Sequence, residues 1–188
     1  MDKIIRKSIE DSLDACKGLL NDIETINKIS YILQHALESG KKVFLFGNGG
    51  SAADSQHIAA ELVGRFKADR SPLPAVALTT DTSILTAVSN DFGFEHVFSR
   101  QIEALGKEGD IAWGFSTSGN SKNVLEAFRL AKTKGMECIA FLGCGGGIIA
   151  NEITLKLVVG CDSTPKIQEA HIIAAHIVCE LVEKNIFS

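Results

Sequence analysis

The sequence predicts an α/β fold: a doubly wound, mainly parallel five-stranded sheet with helices on both faces and an N-terminal helical extension. Three observations lead there. Short, wholly apolar runs such as Val43-Phe44-Leu45-Phe46 alternate with segments of helical periodicity, the pattern of strands buried on both faces and joined by crossover helices. There are 17 glycines against 3 prolines, clustered at Gly47, Gly49 and Gly50, at Gly114 and Gly119, and from Gly143 to Gly147, where a chain must turn sharply after a buried strand. The 188 residues are the size of one ordinary domain with a single core.

The elements follow in order. From Ile4 to Leu37, aliphatic residues recur at helical spacing with charges between them, so residues 1–38 read as helix, broken at Asn21-Asp22. A strand over 43–46 is followed by a helix over 51–66, a strand over 75–79 and a short helix over 81–88. The tetrapeptide Asn90-Asp91-Phe92-Gly93 reads as a loop, and 95–105 as helix. A third strand spans 111–115, a helix 121–134, a fourth strand 138–142, a fifth 153–159, and a long closing helix 167–186. No internal repeat or low-complexity linker divides the chain, so 1–188 is expected to be one domain.

Composition excludes several classes. With 45% hydrophobic and 22% charged residues, the chain is neither disordered nor collagen-like. A formal charge of −4 gives no basic footprint for nucleic acid or an anionic membrane. No run of 18 apolar residues exists to span a bilayer, and residues 1–10 lack the apolar stretch of a signal peptide. Five cysteines with no C-x-x-C pair fit scattered reduced thiols, as in a cytoplasm.

In a doubly wound sheet, ligands bind beyond the C-terminal strand ends where strand order switches, which directs attention to the loops after strands one and three. The first, Gly47-Asn48-Gly49-Gly50-Ser51-Ala52, matches the G-x-G-x-x-A dinucleotide pattern in a strand–turn–helix setting. The ribose-binding acid should follow about 20 residues on. Here the next strand ends at Asp81, 34 residues after Gly47, so a nicotinamide site fits poorly and a tight glycine turn fits as well. The second loop, Ser116-Thr117-Ser118-Gly119-Asn120-Ser121, places four hydroxyls at a helix N-terminus. Orphan amides and the positive end of the helix dipole can hold a phosphate monoester there without lysine or arginine, whereas a single serine would be an ordinary N-cap.

His57 and Glu61 are i, i+4 and share one face of the helix that leaves the glycine loop; taken alone, they are a surface pair. The closing helix carries Gln168, Glu169, His171 and His176. Gln168 and His176 lie about 80° apart around that helix, and Glu169 and His176 are nearly in line, so spacing does not choose between them.

Taken together, these motifs, with His57-x-x-x-Glu61-Leu62-x-Gly64-Arg65, Asn90-Asp91-Phe92-Gly93-Phe94 and Ile167-Gln168-Glu169, resemble the sugar isomerase (SIS) domain family, and more narrowly its phosphoheptose isomerase branch, over essentially the whole chain. The resemblance implies a flavodoxin-like sheet and a cytoplasmic homotetramer with active sites at subunit interfaces, residues 1–38 serving in assembly. It implies isomerisation of D-sedoheptulose 7-phosphate to D-glycero-D-manno-heptose 7-phosphate for bacterial surface polysaccharide. Ser116, Thr117, Ser118 and Ser121 would hold the phosphate; Asn48, Gly49, Gly50, Ser51, Asn90, Asp91, Glu61 and Gln168 would contact the substrate. Glu61 and His176 would be the acid/base pair, and His57, Glu61, Gln168 and His176 the ligands of one zinc ion per subunit. Two other readings stand beside this one. Some SIS proteins are non-enzymatic binders, one of which assists the bacterial replication initiator and lacks counterparts of Glu61 and His176. Others isomerise different phosphosugars.

Overall fold

The computed structural model describes residues 1–187. Its five strands are β1 (Val43–Phe46), β2 (Ala75–Ala77), β3 (Ile111–Ser116), β4 (Glu137–Leu142) and β5 (Leu155–Val158), all parallel, in the order β2-β1-β3-β4-β5. The helices are α1 (Asp2–Gly18), α2 (Ile23–Glu38), α3 (Gly50–Val63), α4 (Thr82–Phe92), α5 (Ser99–Leu105), α6 (Lys122–Thr133), α7 (Ile149–Glu152) and α8 (Thr164–Phe187). The expected class and strand number are what is observed, and the order switches between β1 and β3, as in flavodoxin-like sheets.

Alternation along the strands divides the core. Val43 and Leu45 face one side with Trp113, Phe115 and Phe141, under α2, α3 and α8. Phe44 and Phe46 face the other with Ala112 and Ala140, under α5, α6 and α7. Strands covered on both faces have no solvent side, which is why β1 and β3 are buried throughout and read as continuous apolar runs.

Several boundaries differ from expectation. The break between α1 and α2 is a 3₁₀ turn, Leu19–Asp22, where it was anticipated. Helix α3 stops at Val63 rather than 66, because the Arg70 guanidinium takes the carbonyls of Glu61 and Leu62 that further turns would have used. The expected loop at Asn90-Asp91-Phe92 is the last turn of α4: Asp81 caps Ile84 N–H and the helix runs on until Gly93, whose φ of +95° ends it. Strands β2 and β5 are shorter than expected; each lies at a sheet edge with one neighbour, and α7 occupies part of the approach to β5.

His171 on α8 is fully buried between Phe115 and Phe141, its Nε2 3.0 Å from the Leu142 carbonyl oxygen. Burial pushes its pKa down to about 4, against the opposing pull of that carbonyl. The folded value lies below the unfolded one, so its contribution is present above about pH 6.5 and is lost as pH falls toward 4, at most ~3 kcal/mol. Denaturant midpoints should therefore drop between pH 7 and pH 4.5 in the wild type. His171→Gln, which retains an N–H donor, should remove most of that drop; an identical drop in both proteins would contradict the assignment.

Candidate active site

The two loops flanking the switch point are tied together. The Asn48 and Asn123 side chains exchange amide hydrogen bonds, Nδ2 of each donating to Oδ1 of the other at 2.9 and 2.8 Å. Asn48, expected to contact sugar, thus commits its carbonyl and one amide hydrogen to the base of α6. Ser51 is buried in the first turn of α3. Gly50 is required by a close approach: a Cβ there would lie 2.6 Å from the Gln168 amide nitrogen and oxygen, so Gln168 of α8 lies directly over the glycine loop. One residue earlier, Ile167 packs where a Cβ on Gly143 would sit, beside the Thr117 carbonyl oxygen. The start of α8 therefore touches both loops.

The dinucleotide alternative loses its acid. Asp81 accepts from Ile84 N–H at 2.9 Å as the cap of α4, and Gln168 covers the glycine turn.

In the serine loop, Ser121 occupies the N-cap position of α6 but makes no cap bond; its hydroxyl lies 2.9 Å from that of Ser116. The Ser118 hydroxyl accepts from Asn120 N–H at 3.2 Å, and Gly119 turns the loop with φ +65°. Lys122 and Asn123 open α6, where backbone amides have no partner within the helix. Hydroxyls and amide donors thus gather at a helix N-terminus whose own cap residue is turned aside. This arrangement suits an anion better than it suits simple capping.

The third group is built by α3 and α8. His57 Nε2 is 2.9 Å from His176 Nε2 and 3.2 Å from Glu61 Oε1, and donor atoms of His57, Glu61 and His176 all lie within 4.8 Å of one another. The i, i+4 pair of α3 therefore faces the histidine of α8. Phe66 stacks at a tilt on His176, ring centroids 5.5 Å apart. Burial, and then the neighbouring His57, lower the His176 pKa, with Glu61 opposing them. Two imidazoles and a carboxylate converging in this way can hold a divalent cation or relay a proton.

The structure separates the alternatives on α8: Glu169 turns to Lys166 at 3.1 Å, whereas Gln168 and His176 face α3 and its loop. Asn90 and Asp91 make no hydrogen bond to this group, or to either loop, among the described residues. They sit exposed on α4, hydrogen-bonded to each other at 2.7 Å.

Sequence reasoning passed over Asp54, one turn before His57. Its Oδ2 is buried without a partner, and burial pushes its pKa up to about 6 against the pull of His57. The i, i+3 spacing to His57 was the available signal. It also passed over Asn123, Phe66, Arg70 and Glu183.

A glycine loop and an uncapped serine loop across the switch point of a 2-1-3-4-5 sheet are the plan of a SIS domain, and the SIS domain family model matches residues 8–143. A phosphoheptose isomerase of Clostridium acetobutylicum is 50% identical over 190 residues, covering 100% of this chain and 97% of the relative. The structure of a phosphoheptose isomerase from Neisseria gonorrhoeae matches with a TM-score of 0.92 at 41% identity, covering 97% of this chain and 98% of that one. That of a phosphoheptose isomerase from Francisella tularensis matches with a TM-score of 0.93 at 35% identity, covering 97% of each. The chain belongs to the SIS domain family and, within it, to the phosphoheptose isomerases.

Proposed function

We propose that the protein is a phosphosugar ketose–aldose isomerase that converts D-sedoheptulose 7-phosphate to D-glycero-D-manno-heptose 7-phosphate, in the cytoplasm, for bacterial surface polysaccharide. The observation that carries this is the meeting of His57, Glu61 and His176 between α3 and α8, a helix pair whose N-terminal ends also touch the glycine and serine loops. The reaction moves a proton between C1 and C2 through an enediol. Glu61 takes and returns the carbon-bound proton, and His176, a half-buried imidazole disposed to be neutral, exchanges protons with the substrate oxygens. The hydroxyls of Ser116, Thr117, Ser118 and Ser121, with the first amides of α6, hold the phosphate; Asn48, Gly49, Gly50, Ser51 and Gln168 line the sugar. Asn90 and Asp91 belong to this set by family resemblance alone.

The donor set fits one zinc ion. Two imidazole nitrogens and a carboxylate oxygen already lie within 4.8 Å of one another, and Gln168, eight residues before His176 on α8 and seated against Gly50, joins them by family resemblance. His57, Glu61, His176 and Gln168 would hold it, and a bound cation would supply Lewis-acid polarisation of the substrate oxygens. A coupled assay on sedoheptulose 7-phosphate, with and without chelator, tests the reading. Pentose and hexose phosphates turned over in its place would move the substrate, not the reaction class.

Ser118→Ala or Ser121→Ala should weaken phosphosugar binding by about 0.5–1.5 kcal/mol each without unfolding the protein. Inorganic phosphate should compete with substrate in the wild type. Unchanged affinity in both variants would make the loop a structural turn.

The assembly follows from surface chemistry. Helix α1 buries none of its residues, and Ile4, Ile5, Ile9 and Leu13 are each more than half exposed, as are Leu20, Ile23 and Tyr31. A contiguous apolar stripe of this kind marks an interface. Residues 1–38 join subunits in a homotetramer with active sites at the interfaces. Light scattering at micromolar concentration should give four chains; a stable monomer would contradict this.

A further inference from the structure

Behind the triad lies a buried ion pair that the reaction scheme does not use. The side chains of Arg70 and Glu183 are 2% and 6% exposed. Glu183 stands seven residues after His176 on α8, two turns along nearly the same face. Its Oε1 accepts from Lys67 and Ala68 N–H at 2.9 and 2.8 Å, and its Oε2 from Phe66 N–H at 3.0 Å and Arg70 Nε at 3.1 Å. Three consecutive amides of the segment after α3 are therefore fastened to α8 by one carboxylate. Arg70 extends the tie in the other direction. Its Nη2 donates to the Glu61 carbonyl oxygen at 2.8 Å, and its Nη1 to those of Leu62 and Ser71 at 2.8 and 3.0 Å.

We propose that Arg70 and Glu183 are positioning residues for the isomerisation, a clamp that sets Glu61 on α3 against His176 on α8. The inference rests on the isomerase reading of the triad. Three features of the clamp point this way. It grips the backbone of Glu61 itself. It fixes Phe66, whose ring lies against His176. And it joins the two helices that supply the triad, at the end where neither loop reaches. Stability alone does not require such a device, since a buried ion pair gives up much of its attraction to desolvation and well-packed apolar groups often serve as well. What the pair supplies is direction: a planar guanidinium and a carboxylate whose every nitrogen and oxygen is hydrogen-bonded fix distance and angle together. The outer pair Lys67–Glu180, at 2.8 Å with Lys67 the more exposed, follows the same seam; the Lys67 ammonium lies 5.6 Å from the Phe66 ring centroid, but Glu180 itself bonds, among the described residues, only to Lys67 and Lys184.

The test is steady-state kinetics on sedoheptulose 7-phosphate for Glu183→Gln, Arg70→Gln, Arg70→Lys and the double variant Arg70→Gln/Glu183→Gln, with Glu180→Gln as control and kcat taken per folded molecule. Small displacements of catalytic groups cost up to about 100-fold in rate. The clamp variants should therefore lose about 10- to 100-fold in kcat while KM stays within about 2-fold, because the phosphate loop lies on other elements. The double variant should be no worse than either single one, since both break one tie. Glu180→Gln should match the wild type. Arg70→Lys keeps the charge but not the fork, so it should also lose kcat, and it carries the test if a more severe variant does not fold. Wild-type kcat in folded clamp variants, with only a lower melting temperature, would overturn the proposal and leave the isomerase reading standing. A wild type inactive on every heptose, hexose and pentose phosphate would instead overturn the isomerase reading, and the clamp's role with it.

Discussion

Glu61→Gln is expected to abolish isomerisation while the fold survives and phosphosugar still binds. The substitution keeps size and shape but removes the carboxylate that, among the described residues, lies beside both His57 and His176. A neutral amide cannot accept a carbon-bound proton at pH 7. Loss of a general base typically costs 10²–10⁴-fold, about 3–5 kcal/mol of barrier, and it appears in kcat, whereas misplaced binding appears in KM. Metal ligation and base catalysis by Glu61 separate in the same variant. If ligation dominates, the protein should lose zinc and regain part of its activity when zinc is added. If base catalysis dominates, added zinc should restore nothing. His176→Gln supplies the complement, since loss of an acid/base partner should leave slow C–H exchange. A Glu61→Gln enzyme with wild-type turnover on every phosphosugar would falsify the catalytic reading and leave a non-enzymatic binder as the better description.

Gly119→Ala should be the most damaging single methyl in the serine loop. Gly119 has φ +65°, a conformation costing an ordinary residue about 1–2 kcal/mol. Its Cβ would also lie 2.0 Å from the Gly146 carbonyl oxygen and 2.6 Å from Gly147 N. Those atoms are backbone and cannot swing aside, and Ile149 N–H is bonded to the Gly119 oxygen at 3.0 Å, so the two loops must separate together. Denaturant unfolding should show a loss above about 2 kcal/mol, and phosphosugar affinity should fall further than in either serine variant. Wild-type affinity in Gly119→Ala would mean that the loop does not have to hold this shape to bind phosphate.

The legible and illegible parts of this protein differ in physical kind. Strands β1, β3 and β4 announced themselves because burial on both faces removes polar residues, and the glycine and serine loops because tight turns and phosphate contacts demand particular residue types. Edge strands β2 and β5 were overextended, since one neighbour supports fewer residues than an apolar pattern suggests. The Asn90-Asp91 turn was misread because turn-prone residues also end helices, and Gly93 rather than Asn90 sets the stop. His57 and Glu61 were visible as an i, i+4 pair, whereas spacing did not name their partner across the cleft and only the family resemblance pointed to His176. Within α8, spacing left Glu169 level with Gln168; the family resemblance favoured Gln168, and the closeness of Gln168 to Gly50 and of His176 to His57 agrees with it. The Arg70–Glu183 tie spans 113 residues of sequence and has no local signature.

The central claim is that Glu61 moves a proton between two carbons of a phosphosugar, and isotope exchange reads that step directly. Wild-type protein is incubated with sedoheptulose 7-phosphate in deuterated water and followed by proton NMR and mass spectrometry. The account expects an aldose 7-phosphate to appear with deuterium at C2, the recovered ketose to take up deuterium at C1, and neither to occur with Glu61→Gln. Aldose formed by Glu61→Gln at the wild-type rate would contradict proton transfer through Glu61, and no aldose from the wild type would contradict the isomerase itself.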